Sequence, residues 1–74
     1  MLGFERITFD ANLLGGKACI RGLRISVALV VNLISNGMTA EQIVAEYPDL
    51  EVADIQEALK YAAWITEEAV YELA

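Results

Sequence analysis

Residues able to do covalent chemistry are few in this chain and poorly partnered. It has no histidine and a single cysteine, Cys19. Ser26, Ser35 and Cys19 therefore have no imidazole to take a proton, which removes the usual route to an activated nucleophile. Tetrahedral zinc sites draw on several Cys and His ligands, so a structural zinc is out of reach too. The carboxylates cluster as Glu67-Glu68 and as the trio Glu46, Asp49 and Glu51. Neighbours in sequence point in different directions on a helix, so these groups read as a solvated face rather than a magnesium site. Gly15-Gly16-Lys17 lacks the G-x-x-x-x-G-K-[ST] spacing of a phosphate loop, and Ala18 stands where the hydroxyl belongs. It reads as a turn. The sequence predicts no enzyme, no catalytic residue, no metal and no cofactor. What remains is recognition.

The charges available for recognition are unevenly spread. Residues 1–24 carry Arg6, Lys17, Arg21 and Arg24 against Glu5 and Asp10, a balance of +2. Residues 25–74 carry Lys60 against nine carboxylates, a balance of −8. Any nucleic-acid or anion contact is expected from Arg6, Lys17, Arg21 and Arg24. The acidic remainder should repel nucleic acid and attract a basic protein.

The elements that must position these charges follow from pattern. Arg6-Ile7-Thr8-Phe9 alternates and favours strand. Cys19-Ile20-Arg21 and Leu23-Arg24-Ile25 alternate around Gly22. Together they read as a ribbon with Ile7, Phe9, Ile20 and Ile25 facing in and the arginines out. A two-stranded ribbon is unstable alone and must lie on helices or on another chain. Cys19 reads as a buried small hydrophobe.

Ser26 is a good N-cap for a helix over Val27–Asn36, stopped by Gly37. That helix is apolar almost all round, the mark of burial on more than one side. Thr39-x-x-Gln42 is a capping box for a second helix, with Ile43, Val44 and Tyr47 inward. Pro48 ends it. A third helix starts near Val52, with an apolar stripe of Ile55, Ala58, Leu59, Ala62 and Ala63 centred on Leu59. Its exposed residues are expected to be Asp54, Gln56, Glu57 and Lys60. The stripe extends to Leu73, and Thr66-Glu67-Glu68 would equally begin a separate helix. Both arrangements fit the sequence.

The second and third helices have helix-turn-helix lengths. In a DNA-binding version the third helix would enter the major groove, with Gln56 and Lys60 as recognition contacts. The acids beside them argue against it, so the motif reads as scaffold and any DNA binding as weak or conditional. Tyr61, Trp64, Ile65 and Tyr71 lie off the stripe. They either cover the ribbon and first helix or form a partner interface.

Seventy-four residues make one domain: a basic ribbon over 1–25 and a helical core over 26–74. A domain this small buries roughly 60% of its unfolded surface, yet 57% of its residues are hydrophobic. The surplus suggests a homo-oligomer, most simply a dimer. The longest apolar run, Ile25 to Ile34, spans ten residues. A membrane helix needs about 20, and the run does not read as a secretory signal. A lone thiol fits a cytoplasmic setting.

The run Gly16-Lys17-Ala18-Cys19-Ile20-Arg21-Gly22-Leu23-Arg24-Ile25-Ser26-Val27 resembles the signature of the family called "domain of unknown function 433", roughly G-K-P-C-I-R-G-T-R-I-x-V. The segments Asn36 to Ile43, Tyr47 to Leu50 and Asp54 to Ala62 resemble that family as well. The likeness covers residues 6 to 63. Ala18 replaces its proline, which loosens the turn, and Leu23 replaces a threonine hydroxyl. The resemblance implies a mainly α fold: a three- or four-helix, homeodomain-like helix-turn-helix core with a short N-terminal β-ribbon. It also implies an antitoxin-like partner of a PIN-like ribonuclease toxin, with operator-DNA autoregulation as a further role. The alternative is a stand-alone helix-turn-helix DNA-binding regulator.

Overall fold

Helix starts in this protein are set by side chains that reach back to the backbone. In the computed structural model, which describes residues 3–73 and the side chains of residues 3–66, Ser26 Oγ accepts the Leu29 amide at 3.0 Å and opens α1, Val27–Ser35. Asn36 is the C-cap, one residue short of the expected end. Gly37 follows at φ 95°, a left-handed conformation that glycine takes without strain. Thr39 and Gln42 make the reciprocal capping box of α2, Ala40–Glu46, with bonds of 3.1 and 2.8 Å.

The third helix, α3, runs unbroken over Val52–Leu73. Thr66 does not cap a new helix. Its hydroxyl donates to the Ala62 and Ala63 carbonyls, both at 3.0 Å, the back-bonding a Thr makes inside a helix. At 1.5 Å per residue α3 is about 33 Å long, in a molecule measuring 39 × 30 × 20 Å.

The ribbon is short. β1 (Ile7–Thr8) and β2 (Cys19–Ile20) pair antiparallel with Ile7 opposite Ile20 and Thr8 opposite Cys19. A 3-10 turn at Leu14–Gly16 lies between them. After β2 the chain doubles back: Arg21 (φ 44°) and Gly22 (φ 72°) are both left-handed, and the Leu23 amide donates to the Ile20 carbonyl at 2.7 Å. Two positive φ angles in a two-residue turn are the signature of type I′. The returning chain bridges Ser26 to Cys19, so the ribbon leads straight into the α1 cap.

Ile7, Ile20, Val27, Val30, Ile43, Leu50, Ile55, Ala58 and Tyr61 form one core. Each β-strand and each α-helix supplies at least one of them, and α3 packs against α1, α2 and β1. The architecture is mainly α, three helices with an N-terminal hairpin. Ile7, Ile20 and Cys19 are buried as expected, whereas Phe9 is half exposed and Ile25 partly buried. The α3 stripe is rotated from its expected position. Its buried line is Asp54, Ile55, Ala58 and Tyr61, while Leu59 is only partly buried and Ala63 is exposed. The cause is Asp54, which sits fully inside.

Candidate functional site: two arginines on a buried carboxylate

The ribbon register places two like charges side by side. With Ile7 opposite Ile20, Arg6 falls opposite Arg21, and the Arg21 amide donates to the Arg6 carbonyl at 2.8 Å. Like charges directly across a ladder are destabilising. The neutralising group comes from α3. Asp54, at the third position of that helix, has no solvent exposure. Its Oδ1 accepts from Arg6 Nη1 at 2.9 Å and Arg21 Nε at 3.0 Å. Its Oδ2 accepts from Arg21 Nη2 at 2.9 Å and from the Glu51 backbone amide at 2.8 Å. Arg21 thus meets the carboxylate with two parallel N–H bonds, the geometry a guanidinium is built for.

The node has an outer layer. Arg6 Nη1 also donates to Glu51 Oε1 at 2.7 Å, and Arg21 Nη2 donates to the Asp49 carbonyl at 2.7 Å. The Arg6 backbone amide donates to Glu57 Oε2. Two residues flanking the strands, Arg6 before β1 and Arg21 after β2, are therefore tied to the loop before α3 and to its first turns. No buried side-chain polar atom lacks a partner among the described residues, so a desolvated charge is fully compensated.

Electrostatics follow from this geometry. Burial pushes the Asp54 carboxyl up, but hydrogen bonds from Arg21, the Glu51 amide and Arg6 outweigh it and hold the group at about 2. The Arg6 guanidinium is raised above its ordinary value by its hydrogen bonds to Glu51 and Asp54, and Arg21 by its bond to Asp54. All three groups stay charged at neutral pH.

This arrangement corrects two expectations. Asp54 is not an exposed residue of a recognition helix; it is buried because two arginines reach it. Arg6 and Arg21 are not free ribbon cations; each commits its guanidinium to Asp54, with side chains about one-third exposed. Among the described residues, Lys17, Arg24 and Lys60 form no ion pair and are exposed, as is Gln56.

The expected interface residues divide as well. Tyr61 is a core residue, only 8% exposed. Its ring lies edge-on to Phe4 at 5.4 Å and to Phe9 at 6.2 Å. Trp64 covers Phe4 at 5.7 Å and Tyr61 at 6.1 Å while remaining half exposed. Ile65 is half exposed. The side chain of Tyr71 lies outside the described residues.

Sequence reasoning missed Asp54 and Glu51. The signal was an acid at the third position of a helix, where carboxylates complement the helix dipole, together with two arginines that become neighbours only once the strand register is known. Chemically the node can hold charge and geometry but offers no nucleophile, and no group of three or more potential metal ligands occurs among the described residues. No described helix is long and apolar enough to cross a membrane.

Comparison with known proteins agrees with this architecture. The model of the family described as "Protein of unknown function (DUF433)" matches residues 7–62, a stretch that contains the whole node except Arg6. A crystal structure of a DUF433 member protein from Anabaena variabilis ATCC 29413 is similar, with a TM-score of 0.78 and 30% sequence identity over 97% of this chain and 70% of that one. No curated protein matches.

Proposed function

The chain belongs to the DUF433 family, and from that premise we propose that it is a non-catalytic interaction module, an antitoxin-like partner of a small basic ribonuclease of the PIN-like kind. One observation carries this reading: the protein commits two of its four ribbon cations, Arg6 and Arg21, to its own carboxylates. With Arg6 and Arg21 held by Asp54 and Glu51, Lys17, Arg24 and Lys60 are left against nine of the eleven carboxylates, which makes up the net charge of −6. Glu41, Glu46 and Asp49, on and just after α2, are all exposed and take part in no ion pair among the described residues. Such a surface steers a basic partner and repels a phosphate backbone.

The test is calorimetric titration of the chain into a purified small basic ribonuclease of the PIN-like kind, taken from the adjacent reading frame where that frame encodes one. The expected result is saturable binding that weakens with salt and is abolished when Glu41, Glu46 and Asp49 are all changed to Lys. Binding that survives the triple change overturns the assignment of the face. Absence of binding, together with sequence-selective binding of duplex DNA controlled by Gln56 and Lys60, overturns the reading in favour of a DNA-binding regulator.

A further inference from the structure

Between α1 and α3 lies an open apolar groove of about 590 Å³. Its walls include Ala28 and Val31 of α1 and Ala62 and Ile65 of α3, with Phe9 and Lys17 of the ribbon also lining it. We propose that this groove is filled by the same face of a second copy of the chain, forming a two-fold dimer in which the α3 helices cross. The proposal goes beyond the basic-partner reading and uses none of the residues assigned to it.

Two unfinished helices argue for an occupant. α1 is apolar almost all round, yet in the single chain only Val27 and Val30 are buried. Ala28 is exposed and Val31 half covered. On α3, Ala62 is the last of the described side chains grouped with the core; Trp64 lies over Phe4 and Tyr61 yet stays half exposed, and residues 63–66 are all exposed.

The identity of the occupant follows from shape and charge. An isologous contact needs a projection and a matching hollow on one surface. Here Phe9 and Ile65, each 53% exposed, stand beside a hollow floored by the small side chains of Ala18, Ala28 and Ala62. The lining holds Lys17 and no carboxylate, which disfavours the basic protein suited to the α2 face. The α3 sequence beyond Thr66 contains Glu67, Glu68 and Glu72. An antiparallel crossing brings that acidic end of one helix toward the Lys17 rim of the other copy.

Sedimentation equilibrium of the full chain across the micromolar range tests this, with Ala28→Arg and Ile65→Glu as two independent lesions at exposed positions. The expected result is a wild-type dimer whose dissociation constant rises at least about tenfold in each variant. Lys17→Glu weakens it further at low salt than at high salt. Ala45→Arg, exposed on α2, leaves it unchanged. Far-UV circular dichroism identifies a variant that fails to fold, in which case the other carries the test. A wild-type chain that stays monomeric throughout, including one that accepts a different protein or a lipid vesicle at this face, overturns the proposal. So does association to which folded Ala28→Arg and Ile65→Glu are both indifferent.

Discussion

Replacing Asp54 with asparagine keeps the shape of the side chain and removes its charge. The carboxylate accepts four hydrogen bonds, three from guanidinium N–H groups and one from the Glu51 amide. Asparagine retains one acceptor oxygen and turns an NH2 donor toward groups that are themselves donors. Removing one partner of a buried ion pair costs about 3–5 kcal/mol. A domain of this length has roughly 4–11 kcal/mol in total, at about 0.05–0.15 per residue. The variant should therefore lose at least about 12 °C in melting temperature, taking about 4–8 °C per kcal/mol for small domains. Thermal melts at pH 7 read this directly. A change smaller than about 4 °C would mean that the arginines hold the ribbon without their shared anion, and the account of the node would fall.

Acid provides a second handle on the same group. The folded value of Asp54, about 2, lies below its ordinary 3.8. Folding therefore favours the ionised form. The contribution is complete above about pH 5 and is lost as pH falls through the folded value, amounting to roughly 2 kcal/mol at about 1.4 per unit. Asp54→Asn lacks this titration. The stability gap between wild type and variant should narrow on going from pH 5 to pH 2. A gap that stays constant over that range contradicts an ionised carboxylate at the centre.

Other outcomes follow from particular residues. Arg21→Gly and Arg21→Ala both lose the bonds to Asp54, but only glycine tolerates φ 44° freely; the glycine variant should melt higher by about 4–8 °C, the equivalent of one strained left-handed residue. Ile55→Ala, at a fully buried site, should cost about 2–5 kcal/mol by denaturant titration, whereas Leu59→Ala, partly exposed, should cost clearly less. Any binding of duplex DNA should show a slope of log K against log salt no steeper than about −3 per chain, at about −0.9 per phosphate for Lys17, Arg24 and Lys60. Arg24→Glu should reduce that binding without unfolding the domain.

Capping chemistry made the helix boundaries legible. Ser26, Thr39, Gln42 and Pro48 each act within a few residues of themselves, so their effects can be read without knowing the fold. The ribbon was legible from alternation at Ile7 and Ile20. The rotation of α3 was not. Periodicity counts apolar residues, so Asp54 was placed on the outside and the stripe was centred on Leu59. What moved it was a contact 48 residues away from Arg6 and 33 from Arg21, and no local window contains both partners. Tyr61 was placed off the stripe with two readings open, and it takes the one in which it covers the ribbon, against Phe4 and Phe9.

Charge bookkeeping by segment had the same weakness in a more consequential form. A ribbon balance of +2 against a helical balance of −8 pointed to a basic patch on an acidic body. Strand register turns that inference around. Arg6 and Arg21 are cross-strand neighbours, which on their own would repel, so the ribbon requires an anion merely to close. Asp54 is that anion, and the type I′ turn at Arg21-Gly22 is what aims the second guanidinium at it. Two of the four cations that suggested nucleic acid, Arg6 and Arg21, are thus the cations that fasten the ribbon to α3, and a phosphate could claim them only in competition with a carboxylate already bonded four ways. An interaction surface on this protein must be sought instead where charge and apolar area are left over, at the exposed acids of α2 and in the open groove between α1 and α3.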